Sequence, residues 1–241
     1  DTYSVVLVYT PSWAPGLSLT ADWYRIEIDN AIAAQSAQQI VTLCAQLAGA
    51  YCSLVERDMT TGEVLNLRQA VLNFSRTEVE GLDVTMRYEL DTSIGRFTTV
   101  LDGSRLFHFT NFVPQPDGSV VRDEFAGTGS SPRSTYPHWK ANASLRWERD
   151  AWNAGWKARY IGSSTDVPNN PLNGGRTDDV IYHDLQFGYK FDRLNASVTL
   201  GIDNVLDEMP PISRANNPIN FDIYTYDVRG RYYFLRLSAK L

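Results

Sequence analysis

Three histidines, two cysteines and a scatter of loop carboxylates are the groups in this 241-residue chain that could do chemistry. They do not assemble into a catalytic pattern. His108, His138 and His183 fall on separate stretches, with no serine or cysteine nucleophile motif beside them. Gly127-Thr128-Gly129 lacks the rest of a phosphate-binding loop and reads as a flexible connection. Asp166, Asp178 and Asp179, around Asn169, Asn170 and Asn173, could offer oxygen ligands to Ca²⁺. Without the regular spacing of a Ca²⁺ loop, a solvated polar loop is the better reading. Asn142-Ala143-Ser144 and Asn195-Ala196-Ser197 match a glycosylation sequence but lie inside strand patterns. Cys44 and Cys52, eight positions apart, suit a local loop staple formed in an oxidising compartment. Two reduced, buried thiols are the alternative, and a metal site lacks both CxxC spacing and nearby histidines. No enzyme activity, metal or cofactor is expected.

The elements that position these residues show most clearly at the end of the chain. From Tyr233 every second residue is apolar (Tyr233, Leu235, Leu237, Ala239, Leu241), while Arg236, Ser238 and Lys240 alternate with them. Period two means a strand with one apolar and one wet face. The same reading gives nine strands: Tyr3–Thr10, Leu17–Ile28, Leu67–Leu90, Arg96–Phe109, Tyr136–Glu148, Trp152–Gly162, Val180–Phe191, Leu194–Asp203 and Arg229–Leu241. Several exceed the five or six residues usual in soluble strands and match the roughly 9–11 that cross a bilayer. Asn30–Leu47, rich in alanine, is expected to form a loop helix capped by Asp29 or Asn30 and running into Cys44.

Connections alternate between short (Pro11–Gly16, Asp91–Gly95, Arg149–Ala151, Asp192–Arg193) and long (Asp29–Asn66, Thr110–Thr135, Ser163–Asp179, Leu206–Asp227). In an up-and-down meander all short turns share one end, as in an outer-membrane barrel. Charges keep to one parity: Lys157 and Arg159 oppose Trp152, Trp156 and Tyr160, and Arg87 and Glu89 oppose Met86 and Tyr88. A cation on the lipid face at mid-membrane costs about 2–4 kcal/mol, enough to enforce such sorting. Arg25, Glu27, Arg105 and His183 depart from it, all toward the long-loop ends. Trp147, Trp152 and Phe191 beside short turns suit an interfacial girdle. No run approaches the roughly 18 apolar residues of a membrane helix. A net charge of −6 gives no nucleic-acid footprint. The start at Asp1, already strand-like by Tyr3, reads as a processing or proteolytic edge of something longer.

Four stretches resemble the C-terminal part of the barrel of a TonB-dependent receptor, an outer-membrane active transporter. Asn73-Phe74-Ser75-Arg76-Thr77-Glu78-Val79-Glu80-Gly81-Leu82-Asp83-Val84 is similar to the family's long strand with a Gly-apolar-acidic step. Gly201-Ile202-Asp203-Asn204-Val205-Leu206-Asp207-Glu208-Met209-Pro210-Pro211 resembles its penultimate strand and the loop that follows. Tyr226-Asp227-Val228-Arg229-Gly230-Arg231-Tyr232-Tyr233 resembles its approach to the last strand, and Cys44…Cys52 a loop pair of one branch. Leu241 stands where the family usually ends in phenylalanine, which bears on recognition by the assembly machinery.

The resemblance implies an all-β, antiparallel, up-and-down transmembrane β-barrel of about 22 strands around a plug. Residues 1–241 would supply its last nine strands, with a short helix in an extracellular loop and the plug outside this sequence. Implied partners are outer-membrane lipid, the remainder of the barrel and plug, the TonB energy-coupling complex and a small-molecule ligand. That ligand would be a scarce nutrient: siderophore-iron, vitamin or carbohydrate. Candidate contacts in the long loops and upper wall are Tyr51, Arg57, Asp58, Phe112, Arg122, Asp123, Tyr136, Asn169, Arg176, Asn216 and Tyr224. Arginine suits anionic siderophores; aromatic and amide groups suit sugars or flat organic ligands. A passive porin or adhesin barrel and a soluble carbohydrate-binding β-sandwich are the alternative readings.

Overall fold

The computed structural model describes residues 1–34, 37–46, 51–68, 71–114, 119–131, 134–166, 175–213 and 220–239. Strands β1 (Thr2–Tyr9) and β2 (Leu17–Ala34) precede helix α1 (Ala37–Gln46) and the small strands β3 (Val55–Arg57) and β4 (Val64–Leu67). The long β5 (Val71–Thr92) and β6 (Gly95–Pro114) lead to β7 (Val120–Glu124), β8 (Thr128–Ser131) and β9 (Ser134–Tyr136). Then come β10 (Trp139–Arg149), β11 (Trp152–Ile161), β12 (Ser164–Asp166) and β13 (Gly175–Thr177). The last three are β14 (Val180–Phe191), β15 (Ala196–Asp203) and β16 (Tyr232–Ala239).

Nine strands form one meander in the order β1-β2-β5-β6-β10-β11-β14-β15-β16, with β7 added to β6. These are the nine read from period two, each hydrogen-bonded to the next along the chain. The register keeps the two faces apart. Leu145, Trp156, Leu185, Ile202 and Tyr233 stand level across five strands, and one residue along, Ser144, Lys157 and Asp184 form the adjacent polar row. Asp150 and Asn195 adopt left-handed φ values of 49° and 45° in the short turns, which Asp and Asn tolerate best among non-glycine residues.

No second layer covers the apolar face among the described residues. Trp156, Phe187, Leu200 and Leu237 are 37%, 47%, 58% and 73% exposed. In a soluble sandwich they would interdigitate with a facing sheet, so that alternative is set aside. Among the described residues the buried apolar side chains are few, and buried polar ones such as Thr135, Asp166, Asn204 and Asp222 outnumber them.

Three expectations are corrected. The helix begins at Ala37, because Asp29–Ala34 prolong β2 and Asn30 takes φ 52° there, so neither Asp29 nor Asn30 caps it. Ladder pairing along β2 outweighs the helix preference of the alanines; Leu47 lies outside the described residues. Leu67 belongs to β4 rather than to the long strand. The strand expected over Tyr136–Glu148 is broken at Pro137, which has no N–H to give a ladder, so β9 ends at Tyr136 and β10 begins at Trp139.

By backbone contacts the chain divides into two units. One holds Asp1–Thr2, Ile26–Val79 and Phe109–Glu124, with α1 and the β3–β4 hairpin; the other holds Tyr3–Arg25, Glu80–His108 and Phe125–Leu241.

Candidate functional site

The first unit concentrates charge around Phe112. Arg76 ion-pairs with Glu27 (3.1 Å), Asp29 (3.7 Å) and Glu78, so its charge is more than answered. Its guanidinium carbon also lies 5.5 Å from the centre of the Phe112 ring. Antiparallel pairing of β6 with β7 sets Arg122 opposite Phe112, and that guanidinium lies 5.2 Å from the same ring. Arg122 is exposed and forms no ion pair among the described residues. Glu124, two residues on, accepts hydrogen bonds from the Phe109 N–H (2.9 Å) and the Thr110 hydroxyl (2.7 Å) and fixes the base of the hairpin.

The same unit carries a Cys44–Cys52 disulfide that ties α1 to the turn at Cys52–Leu54. Tyr51 opens that turn and is half-buried. Arg57 and Asp58 build the tip of the β3–β4 hairpin. Asp58 Oδ1 accepts the N–H groups of Thr60 (2.7 Å) and Thr61 (2.9 Å), and Arg57 donates to the Gly62 carbonyl (2.9 Å). Those two N–H groups hold the Asp58 carboxyl below the usual range. Both residues therefore make the turn that presents the tip.

In the second unit, long loops are knotted together by buried polar groups. Strands β8 and β9 from one loop and β12 and β13 from the next form a four-stranded sheet. The loop after β15 is stitched onto it: Asp222 Oδ2 accepts the Thr135 N–H (2.7 Å), Asp222 Oδ1 accepts the Tyr224 N–H (2.8 Å), and Ser213 donates to Asp166 (2.9 Å). Tyr226 is buried beside these groups. Burial, and then the negative charges of Asp222 and Asp166, push its phenol up.

The base of the same loop is held by an ion network. Arg159 on β11 reaches Asp184 on β14 (3.4 Å) and Asp227 (3.5 Å), and its guanidinium lies 5.1 Å from the Tyr182 ring centre. Arg229 adds a second cation to Asp227 (3.4 Å). Burial alone would raise the Asp227 carboxyl. The hydrogen bonds of Arg229 and the charges of Arg229 and Arg159 outweigh it and hold the group below the usual range.

Of the sequence candidates here, Tyr136 meets Phe125 edge-on at 6.2 Å, Arg176 donates to Ser163 (3.1 Å), and Tyr224 stands 66% exposed above the Asp222 knot. Asn169 and Asn216 lie outside the described residues, and Asp123 is exposed on β7. Among the described candidates, the structure joins Phe112 with Arg122 and Arg57 with Asp58. Sequence reasoning missed Arg76 and Arg159 as hubs. A cross-strand pair is visible only once the register is known, although Glu27, a charge off its expected parity, was the available signal.

A protein-family model described as "TonB dependent receptor-like, beta-barrel" matches residues 1–205. No curated protein matches. Among solved structures, a mutant of the ferric enterobactin receptor PfeA from Pseudomonas aeruginosa superposes with a TM-score of 0.63 at 15% identity, covering 99% of this chain and 30% of that one. The siderophore receptor PirA from Acinetobacter baumannii gives 0.59 at 14%, covering 98% and 31%. The copper transporter OprC gives 0.56 at 14%, covering 98% and 30%. The chain therefore spans about 30% of the length of these structures. By the family match, over a meander of long antiparallel strands, the chain belongs to the TonB-dependent receptor β-barrel family of the Gram-negative outer membrane.

Proposed function

We propose that residues 1–241 form the C-terminal part of the barrel of an energised importer, with the plug and the remaining strands supplied outside this sequence. The cargo is a scarce nutrient, and the chemistry at Phe112 favours an anionic iron chelate carrying flat aromatic groups. Arg122 is the observation that carries this reading: an exposed cation over an aromatic ring. A guanidinium so positioned offers a planar fork to a carboxylate or catecholate oxygen, and the ring beneath limits the motion lost on binding. On the polar face a groove of about 840 Å³ includes Arg146, Lys157, Asp184, Asp203 and Arg236. It would face the plug and the passing chelate. Energy would come through the TonB complex acting on the plug.

The test uses the full-length receptor. Arg122→Ala is expected to weaken binding of an anionic ferric siderophore about tenfold, the equivalent of 1–2 kcal/mol for a cation and its aromatic support. Binding of a neutral oligosaccharide should not change. Uptake by cells that lose its dependence on TonB would instead indicate a passive channel.

A further inference from the structure

Trp139 and Trp147 lie on the apolar face of β10, and Ala143 is midway between them. The register sets Leu101 and Ala158 level with Ala143, and His183 level with Ala158. At a rise of ~3.3 Å per residue and a tilt of ~45°, four residues place Ala143 about 9 Å from either tryptophan, near the middle of a hydrocarbon band ~25 Å tall; the same tilt sets His183, two strands along, about 7 Å nearer the long-loop side but still within the band. An ionisable side chain on the lipid side at that depth is costly and marks a place of function. His183 accepts a hydrogen bond at Nδ1 from the Trp156 indole N–H (3.3 Å), as a neutral imidazole can, and the two rings stack at 5.9 Å.

Beside this pair the apolar face holds a cavity of about 880 Å³. Gly103, Ala141, Ala143 and Ala158 line it together with Trp156 and His183. These small residues leave space among larger ones that line the same cavity from seven strands, including Leu7, Tyr9, Leu19, Met86, Leu101 and Ile181. The volume is within the roughly 300–1,000 Å³ of small-molecule sites, and an apolar lining with one placed polar pair is their usual make-up.

We propose that this cavity is a fixed seat for one lipid acyl chain, with the Trp156 indole, braced by His183, as its side wall. The occupant follows from continuity: the cavity opens on the face whose solvent is already hydrocarbon. Its lining reaches the level of Ala141 and Tyr160 but not that of Ala154 and Phe187. The chain therefore descends from the leaflet on the long-loop side.

The full-length receptor, reconstituted in phosphatidylethanolamine vesicles containing phosphatidylglycerol brominated near the chain ends, tests this. The emission of Trp156, taken as wild type minus Trp156→Phe, should be quenched at bromolipid fractions too low for random contact, with saturation. Filling the cavity by Ala158→Phe, or independently by Ala143→Phe, should abolish that excess while the heat-modifiable migration of the folded barrel is kept. Three results would each overturn the seat. They are quenching that simply follows mole fraction, an excess that survives in a folded filled variant, and equal quenching by lipid brominated near the headgroup. A second copy of the protein occupying the face would show as Trp156 shielded from bromolipid altogether, which also overturns it.

Discussion

Gly81, in the Gly-Leu-Asp step of the third wall strand, illustrates how much of this fold rests on single residues. A Cβ there would lie 2.6 Å from Cζ of Tyr24 and 3.0 Å from the Arg105 carbonyl oxygen, because the tyrosine ring of β2 lies across the β5 backbone. Gly81→Ala is expected to destabilise the barrel by about 1–3 kcal/mol, the usual cost of overpacking. Gly175→Ala, with nothing within 4 Å, should leave the unfolding midpoint unchanged. The motif itself was legible in the sequence. Its reason was not, since the tyrosine it accommodates is 57 positions away. The same holds for Arg122, whose residue type suits anion binding while its partnership with Phe112 depends on the β6–β7 register. Asp227 leads to a pH prediction. Its folded-state pKa is depressed, so the stability it contributes is present above its unfolded value and is lost as pH falls through the folded one. Protease protection of the loop before β16 should therefore hold from neutral pH down to about 4, the ordinary aspartate value, and fall below it. Asp227→Asn should remove that acid step while lowering protection at neutral pH.

Among the elements, period two found the nine wall strands because lipid enforces it over eight residues or more. The seven short strands among the described residues escaped because three to five residues carry no readable period. They matter for function, because β8, β9, β12 and β13 make a platform of what reads as flexible loop. The alanine-rich segment misled at its start for a related reason: helix propensity is a weak preference that an available ladder partner overrides. Asp222, with the Ser213–Asp166 bond, ties this platform to the last long loop. Asp222→Ala would leave the buried Thr135 N–H with only its longer contact to the Thr225 hydroxyl (3.4 Å) and free the exposed Tyr224 N–H to water, at a cost of about 1–3 kcal/mol for the Thr135 group. Limited proteolysis of the full-length protein should then cut within the loop between β15 and β16. The wall strands should stay intact and heat-modifiable.

For the whole molecule, the question is which solvent each face of the sheet meets, and two adjacent strands offer a matched comparison. Leu101 on β6 is level with Ala143 at mid-band, and one position along the next strand Asn142 stands level with Asp102 on the other face. The two sites share a depth and differ only in side. Leu101→Arg should destabilise the reconstituted barrel by about 2–4 kcal/mol, the cost of a cation on the lipid face at the midplane, and should lower the yield of folded protein. Asn142→Arg adds the same charge to a row that already holds Asp102 and Arg159, where water and counter-charge are at hand, and should change stability by no more than about 0.5 kcal/mol. Denaturant titration of both variants in vesicles, read by heat-modifiable migration, separates the outcomes. Equal penalties would mean that both faces are buried in protein. A larger penalty at Asn142 would mean that the polar face is the covered one, and the wall could not stand in a bilayer as its sequence pattern requires.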